Sequence, residues 1–494
     1  MNLENVEDLY PLSPVQQGML FHSLAAPHSG VYIGQCTCKL QGTLEPELLK
    51  RAWQTVIDRH TVLRTMFVWE LDEPLQLVRQ QVELPWHEED WRDCPNPTAD
   101  WEDFLARDRA KGFALDAAPL TSITLVRLAD DTYRLVWTCH HAIVDGWSTP
   151  AIWNEIYAIY TAFRDNRPHD LPEPKPYRDY IAWLQEQDDS LARQFWTKAL
   201  DGFAEPTPLP GARRIQDGAG VRWRSRYLPA DLFASLQTFC RSHRLTLSTL
   251  VNGAWALLLS RYSSAEDVVF GTVVSGRSAT ISDVESRVGL FVNTLPMRVA
   301  IAESDSLVPW LKSLQDRALN IRNHETTSLS DIQTWCEIPA GENLFQSLVV
   351  FENRPAAPHT HALGFEVSDI DARDQSNYPF VLLAIPGEIL ELKAIFDSHL
   401  FPDEAAERIL EQVETVLKGF VKSPQAELAN ISLLTASERQ LLLHDWNQTQ
   451  ASLPEAKCIH HLIEAQADRV PDAVAIAYER QLLTYSELDR RANQ

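Results

Sequence analysis

No stretch of this chain is apolar for long enough to cross a bilayer. The longest apolar run, AWALLLS at residues 254–260, falls far short of the ~20 residues that a membrane helix needs. After Met1 the sequence NLENVEDLY is acidic and polar, where a signal peptide would place a basic region and an apolar core. Cysteine pairs are also missing. The seven cysteines are odd in number and scattered, with no C-x-x-C, so neither a disulfide framework nor a zinc ribbon is expected, and a reduced, cytoplasmic setting fits. Positive charge is scarce: 44 Lys+Arg against 68 Asp+Glu leave a net charge of −24. Such a surface opposes a phosphate backbone or an anionic membrane, so no nucleic acid and no membrane is expected as a partner. Short-period repeats and low-complexity tracts are absent.

What is present is a long, ordinary globular chain of 494 residues, 45% hydrophobic and 23% charged, enough for more than one core. Leu48, Leu49, Trp53, Val56 and Ile57 recur at helical spacing, and an extended LRTMF follows. SITLVRL, a polar turn at 129–131 and TYRLVWTCH predict a β-hairpin. Beyond it Ser148 or Thr149 is expected to cap a helix with Pro150 in its first turn and a stripe of Ile152, Ile156, Ile159 and Phe163. The Pro-rich NRPHDLPEPKP at 166–176 reads as a linker. Further on, residues 232–263 read as helical, DVVFGTVVSG and VGLFVNTLPMRV as strands, and PDEAAERILEQVETVLKGFV as a last helix before a second linker around 423–435. From Cys458 a helix, a strand and LTYSELDRRANQ follow; their apolar faces lack partners, so they are read as the opening of a further domain in a longer chain.

The loop between hairpin and helix, TCHHAIVDGWS (residues 138–148), concentrates the reactive side chains. Three chemistries compete for it. Adjacent strand residues point to opposite faces, which disfavours His140 and His141 as ligands of one metal. His460 and His461 are likewise read as a solvated helix face, and no metal site is expected. A Cys139/His141 nucleophilic pair would need a third orienting group that the sequence does not identify. The third reading is acyl transfer: a histidine at a strand end orients or deprotonates an amine, Asp145 braces the loop, and Gly146 brings a backbone N–H near a developing oxyanion. Spacing alone does not single it out, because a lone histidine is more often a satisfied structural residue.

HHAIVDGWS resembles the HHxxxDG signature of condensation domains of non-ribosomal peptide synthetases, members of the chloramphenicol acetyltransferase-like superfamily. YPLSPVQQGMLFHSL (10–24), DRHTVLRTMF (58–67), YRDYIAWLQEQD (177–188) and VGLFVNTLPMRV (288–299) resemble four further motifs of that family, in order. RNHETTSLSDI (322–332) and RDQSNYPF (373–380) align in position, the latter with Asn377-Tyr378 where the family pattern often has Arg-Asn.

The resemblance implies an α/β fold of two chloramphenicol acetyltransferase-like lobes, a V-shaped pseudo-dimer with a central tunnel. It places an N-terminal lobe at 1–175, a C-terminal lobe at 176–430, a linker at 431–457 and the truncated start of an adenylation domain at 458–494. It implies amide-bond formation by attack of an acceptor's α-amine on a donor thioester. Donor and acceptor peptidyl carrier proteins, or an acyl carrier protein or acyl-CoA as donor, would be the partners, alongside the downstream adenylation domain. The 4'-phosphopantetheine cofactor belongs to those carriers, with none held covalently by this chain. His141 matches the catalytic position, as a base or as a positioning group, with Gly146 beside it. His140, Asp145 and Arg277 are expected as support, Asp145 pairing with Arg277. Trp147, Ser148 and Asn293 are candidates for lining the tunnel. An epimerisation domain would need a second catalytic glutamate and flanking motifs of its own, and a heterocyclisation domain would have aspartates in place of His140 and His141. A carrier-docking platform without catalysis is the rival from another class.

Overall fold

The computed structural model describes residues 5–215, 218, 220–277, 281–339, 341–352, 364–452 and 458–494. Its contacts divide into two units, Met1–Leu433 and Leu434–Gln494.

In the first unit the strands are β1 (Val6–Pro11), β2 (Ile33–Gly42), β3 (Thr65–Val68), β4 (Leu75–Arg79), β5 (Trp86–Asp90), β6 (Thr121–Ala129), β7 (Thr132–His140), β8 (Val221–Tyr227), β9 (Asp267–Val274), β10 (Asn293–Ala300), β11 (Ser347–Phe351), β12 (Phe365–Arg373), β13 (Phe380–Pro386) and β14 (Leu390–Asp397). They form a small sheet β1-β4-β3, a five-stranded sheet β12-β2-β7-β6-β5 and a six-stranded sheet β10-β9-β11-β13-β14-β8. Two cores accompany the two larger sheets. In the first, Trp53 of helix Pro46–Arg59 packs against Trp137 of β7 and Trp153 of helix Ser148–Arg164, both at 5.3 Å between ring centroids. In the second, helices Leu247–Ser263 and Asp403–Lys422 contribute the buried side, with Trp255 stacked on Phe380 of β13.

The two halves exchange material, which a division at residue 175 does not capture. Strand β12 comes from the second half but pairs antiparallel with β2 of the first. Ile281, Val284, Val288, Leu290 and Phe291 leave the second half and pack in the first half's core. Apolar side chains on a connection are buried against whichever core is nearest, irrespective of chain order.

Three local expectations are corrected. Residues 232–263 form two helices, Ala230–His243 and Leu247–Ser263. Arg244 adopts a left-handed conformation at φ 58°, and the Thr246 hydroxyl caps the second helix by accepting from Thr249 N. Strand β10 begins only at Asn293, because residues 289–291 hydrogen bond to the histidine loop instead of to a neighbouring strand. Neither Ser148 nor Thr149 caps the helix, which begins at Ser148 itself; Asp145 Oδ1 accepts the Ser148 N–H at 2.9 Å.

The second unit carries the helices Ile459–Arg469 and Tyr485–Ala492 around a hairpin of β15 (Val474–Tyr478) and β16 (Gln481–Thr484). No helix among the described residues is long and apolar enough to cross a membrane.

Candidate active site

β7 ends at His140 because the next residues turn into the loop that feeds the helix Ser148–Arg164. The two histidines then part company, as strand alternation requires.

His140 is 1% exposed. Its Nδ1 accepts the Ala142 N–H at 3.1 Å, so the proton sits on Nε2, which donates to Ser23 Oγ at 3.0 Å. Burial, and then the neighbouring His141, push its pKa down to about 3. The ring is neutral and both of its nitrogens are committed to hydrogen bonds within the fold.

His141 lines a cavity of about 610 Å³ whose wall is contributed by both halves of the unit. Its backbone N–H donates to Tyr32 O at 2.7 Å. Its Nδ1 is buried without a hydrogen-bond partner among the described residues. Among the described residues no carboxylate is hydrogen bonded to this Nδ1 in the manner of a hydrolase triad, and Asp145 is engaged elsewhere.

Asp145 is 1% exposed and spends both oxygens on the loop. Arg277 Nη2 lies 2.9 Å from Oδ1 and 3.1 Å from Oδ2. Oδ1 also accepts from Ser148 N and Oγ, and Oδ2 from Phe291 N at 3.0 Å. The guanidinium donates in addition to Val284 O and Arg287 O and lies over the Phe291 ring at 4.2 Å. The Asp145–Arg277 pair expected from the family position is therefore formed, and it staples the connection 281–291 to the histidine loop. A desolvated pair keeps its geometry when its remaining lone pairs and protons find partners. These bonds occupy both Asp145 oxygens and both Arg277 Nη atoms, while Arg277 Nε is buried without a hydrogen-bond partner among the described residues.

Two expected site roles are corrected. Ser148 is buried inside this network, its hydroxyl 2.8 Å from Asp145 Oδ1 and accepting from Gly289 N, so it cannot line the cavity. Trp147 stands at the helix start, also outside the cavity wall. Asn293 does line it, and at the same time its Nδ2 donates to Glu325 O and Thr327 O, both at 2.8 Å. Gly146 is set back from the wall; a Cβ on it would reach 3.9 Å from Oε1 of Glu352, which is in the wall. The Cys139 thiol is raised by burial and is not activated. In the second unit, His460 and His461 do not diverge as expected: their rings stand 4.3 Å apart and their ligand atoms, with the Cys458 thiol, fall within 4.8 Å of one another.

Some supporting residues carry no signal in the loop itself. Gln16 is fully buried; its Nε2 donates to Ala142 O at 2.9 Å while its Oε1 accepts Ser13 N in a capping box. The spacing S-x-x-Q at 13–16 announces the helix start, but not the reach to Ala142. Tyr177 similarly donates to Leu290 O at 2.6 Å. Both lie in the family-like motifs at 10–24 and 177–188, whose physical meaning is to hold the histidine loop and the 281–291 connection.

Comparison with known proteins follows the same line. The model of the condensation domain family matches residues 6–443. A linear gramicidin synthase from Brevibacillus parabrevis is 40% identical over the whole of this chain, which spans 10% of that relative. Surfactin synthase subunit 3 from Bacillus subtilis (strain 168) is 32% identical over 99% of the chain, which spans 39% of it. Among solved structures, the starter condensation domain of rhizomide synthetase superposes with a TM-score of 0.76 at 18% identity, covering 86% of this chain and 98% of that one. The X-domain from teicoplanin biosynthesis superposes at 0.74 with 20% identity, covering 86% and 97%. With the histidine loop, the ion pair and the family match over residues 6–443 in place, the chain belongs to the condensation domain family.

Proposed function

We propose that this chain forms an amide bond between two thioester-borne substrates. The observation that carries the reading is His141: its ring stands in a cavity walled by both halves, on a loop fixed from behind by Asp145 and Arg277. The wall, among the described residues, includes Glu342, Glu352 and Asp374 but no lysine or arginine, a charge pattern that favours an amine-bearing substrate. The acceptor's α-amine attacks the donor's thioester carbonyl; the C–N bond forms, the C–S bond breaks, and the sulfur leaves as a thiol. His141 takes the proton that the amine must lose and holds the nitrogen toward the carbonyl. Gly146, set back from the wall, is not assigned the oxyanion.

The substrates would arrive on 4'-phosphopantetheine arms of donor and acceptor carrier proteins, or on acyl-CoA as donor, so the cofactor travels with the partners. Residues 458–494 form a helix, hairpin and helix whose Ile459, Ile463, Ile476 and Leu482 are exposed, and we read them as the start of an adenylation domain. None of the seven cysteines forms a disulfide, which supports a reducing, cytoplasmic setting.

The test is intact-protein mass spectrometry of an aminoacyl-loaded acceptor carrier after mixing with a loaded donor and this chain. Product should appear with the wild type and fall at least ~100-fold in His141→Ala with unchanged thermal stability. A folded wild type that yields nothing with peptidyl, acyl or acyl-CoA donors would favour the docking-platform reading.

A further inference from the structure

Tyr32 sits immediately before β2 with φ 58°, in the left-handed region. A residue with a Cβ enters that region at a cost, and a bulky one is held there only when its surroundings over-determine it. Three hydrogen bonds do so. Its N–H donates to Gln375 O at 2.7 Å, its carbonyl accepts the His141 N–H at 2.7 Å, and its phenol donates to Asn377 Oδ1 at 2.7 Å. The chain continues in a fixed direction: with Oδ1 taken, Asn377 Nδ2 faces His22 Nε2 at 3.2 Å and donates to it. His22, Tyr32, Asn377 and His141 all line the same cavity.

Burial raises the Tyr32 phenol, so it remains a donor, and lowers His22, so its ring remains neutral and able to accept. Both ends of the chain are thus poised for one arrangement. Gln375 and Asn377 belong to the connection between β12 and β13, in the second half, whereas His22, Tyr32 and His141 belong to the first.

Resting on the proposed function, we propose that Tyr32 is a positioning residue for His141: its strained peptide links the histidine's own backbone to the 375–377 connection, and the Tyr32–Asn377–His22 chain locks it. The imidazole lacks a side-chain partner at Nδ1 among the described residues, so its placement depends on the backbone that carries it. Through this link the wall of the cavity and the reacting nitrogen share one set of coordinates.

The experiment is steady-state amide formation by Tyr32→Phe, measured in the wild-type background and in His141→Ala. Removing the phenolic hydroxyl should lower kcat ~10-fold or more while the KM for each thioester stays within ~2-fold, since misplacement at the reacting centre costs rate rather than binding. In His141→Ala the same substitution should cause no further loss, because residues that act as a unit are not additive. An unchanged kcat, or an equal fall in both backgrounds, would overturn the proposal. If Tyr32→Phe does not fold, Asn377→Ala removes the same bond and is read by the same criteria. Should the wild type form no amide, the proposed function fails on its own. The positioning is then read from the rate at which diethylpyrocarbonate modifies His141, followed by peptide mass spectrometry. That rate should change in Tyr32→Phe, and an unaltered rate would count against Tyr32.

Discussion

At the scale of single residues, the adjacent histidines and Asp145 show how neighbours in sequence divide their work by burial. His140 titrates far below its ordinary value, so the unfolded chain binds a proton near pH 6.5 that the folded chain refuses until about pH 3. Its contribution to stability is complete above the unfolded pKa and is lost as pH falls through that window, by about 1.4 kcal/mol per unit. Chemical denaturation of wild type and His140→Asn between pH 7 and pH 4 should show the flatter profile in the variant, which cannot take the proton. Asp145→Ala leaves Arg277 buried, 9% exposed, against Phe291. The expected loss is ~3–5 kcal/mol of folding stability, seen as a lowered Tm, because an uncompensated buried charge costs more than the pair gains. His141→Ala, by contrast, removes a ring whose Nδ1 has no partner among the described residues and should leave Tm nearly unchanged.

At the scale of elements, the connection after β9 holds the site together, and its tightest point is a glycine. Gly276 has φ 61°, and a Cβ there would stand 1.7 Å from Phe291 O. Both facts forbid a side chain, so Gly276→Ala should destabilise by more than ~1 kcal/mol, with the 281–291 connection losing protection first in hydrogen exchange. Elements with strong periodicity were legible from sequence: the hairpin β6–β7, the helix with Ile152, Ile156 and Ile159, and the amphipathic helix Asp403–Lys422. HHxxxDG and the order of the other motifs located His141 and its loop, and the family position supplied Arg277. The roles of Gln16, Tyr32 and Tyr177 were not legible, because each acts through a contact more than a hundred residues away that leaves no local period. Ser148 misled for a related reason: a hydroxyl at a helix start reads as a cap, and only the fold shows that it faces Asp145.

At the scale of the whole first unit, each half is incomplete in a specific way. The five-stranded sheet takes its edge strand β12 from the other half, and that strand is tied to both: Arg373 pairs with Glu102, and Lys393 of β14 reaches Asp371 and Ala372 O. Trp223 of β8 adds a hydrogen bond to Asp374 O and lies against Arg109 at 4.5 Å. For anyone recombining synthetases, this borrowed strand decides where the polypeptide can be cut. A product ending after residue 175 would expose the backbone donors and acceptors of β2 from Ile33 to Gly42 as an open edge, a template for pairing with any other chain. Size-exclusion chromatography of such a product should show self-association that a synthetic peptide spanning 364–374 suppresses. Junctions placed beyond residue 433 keep the donated strand with its recipient.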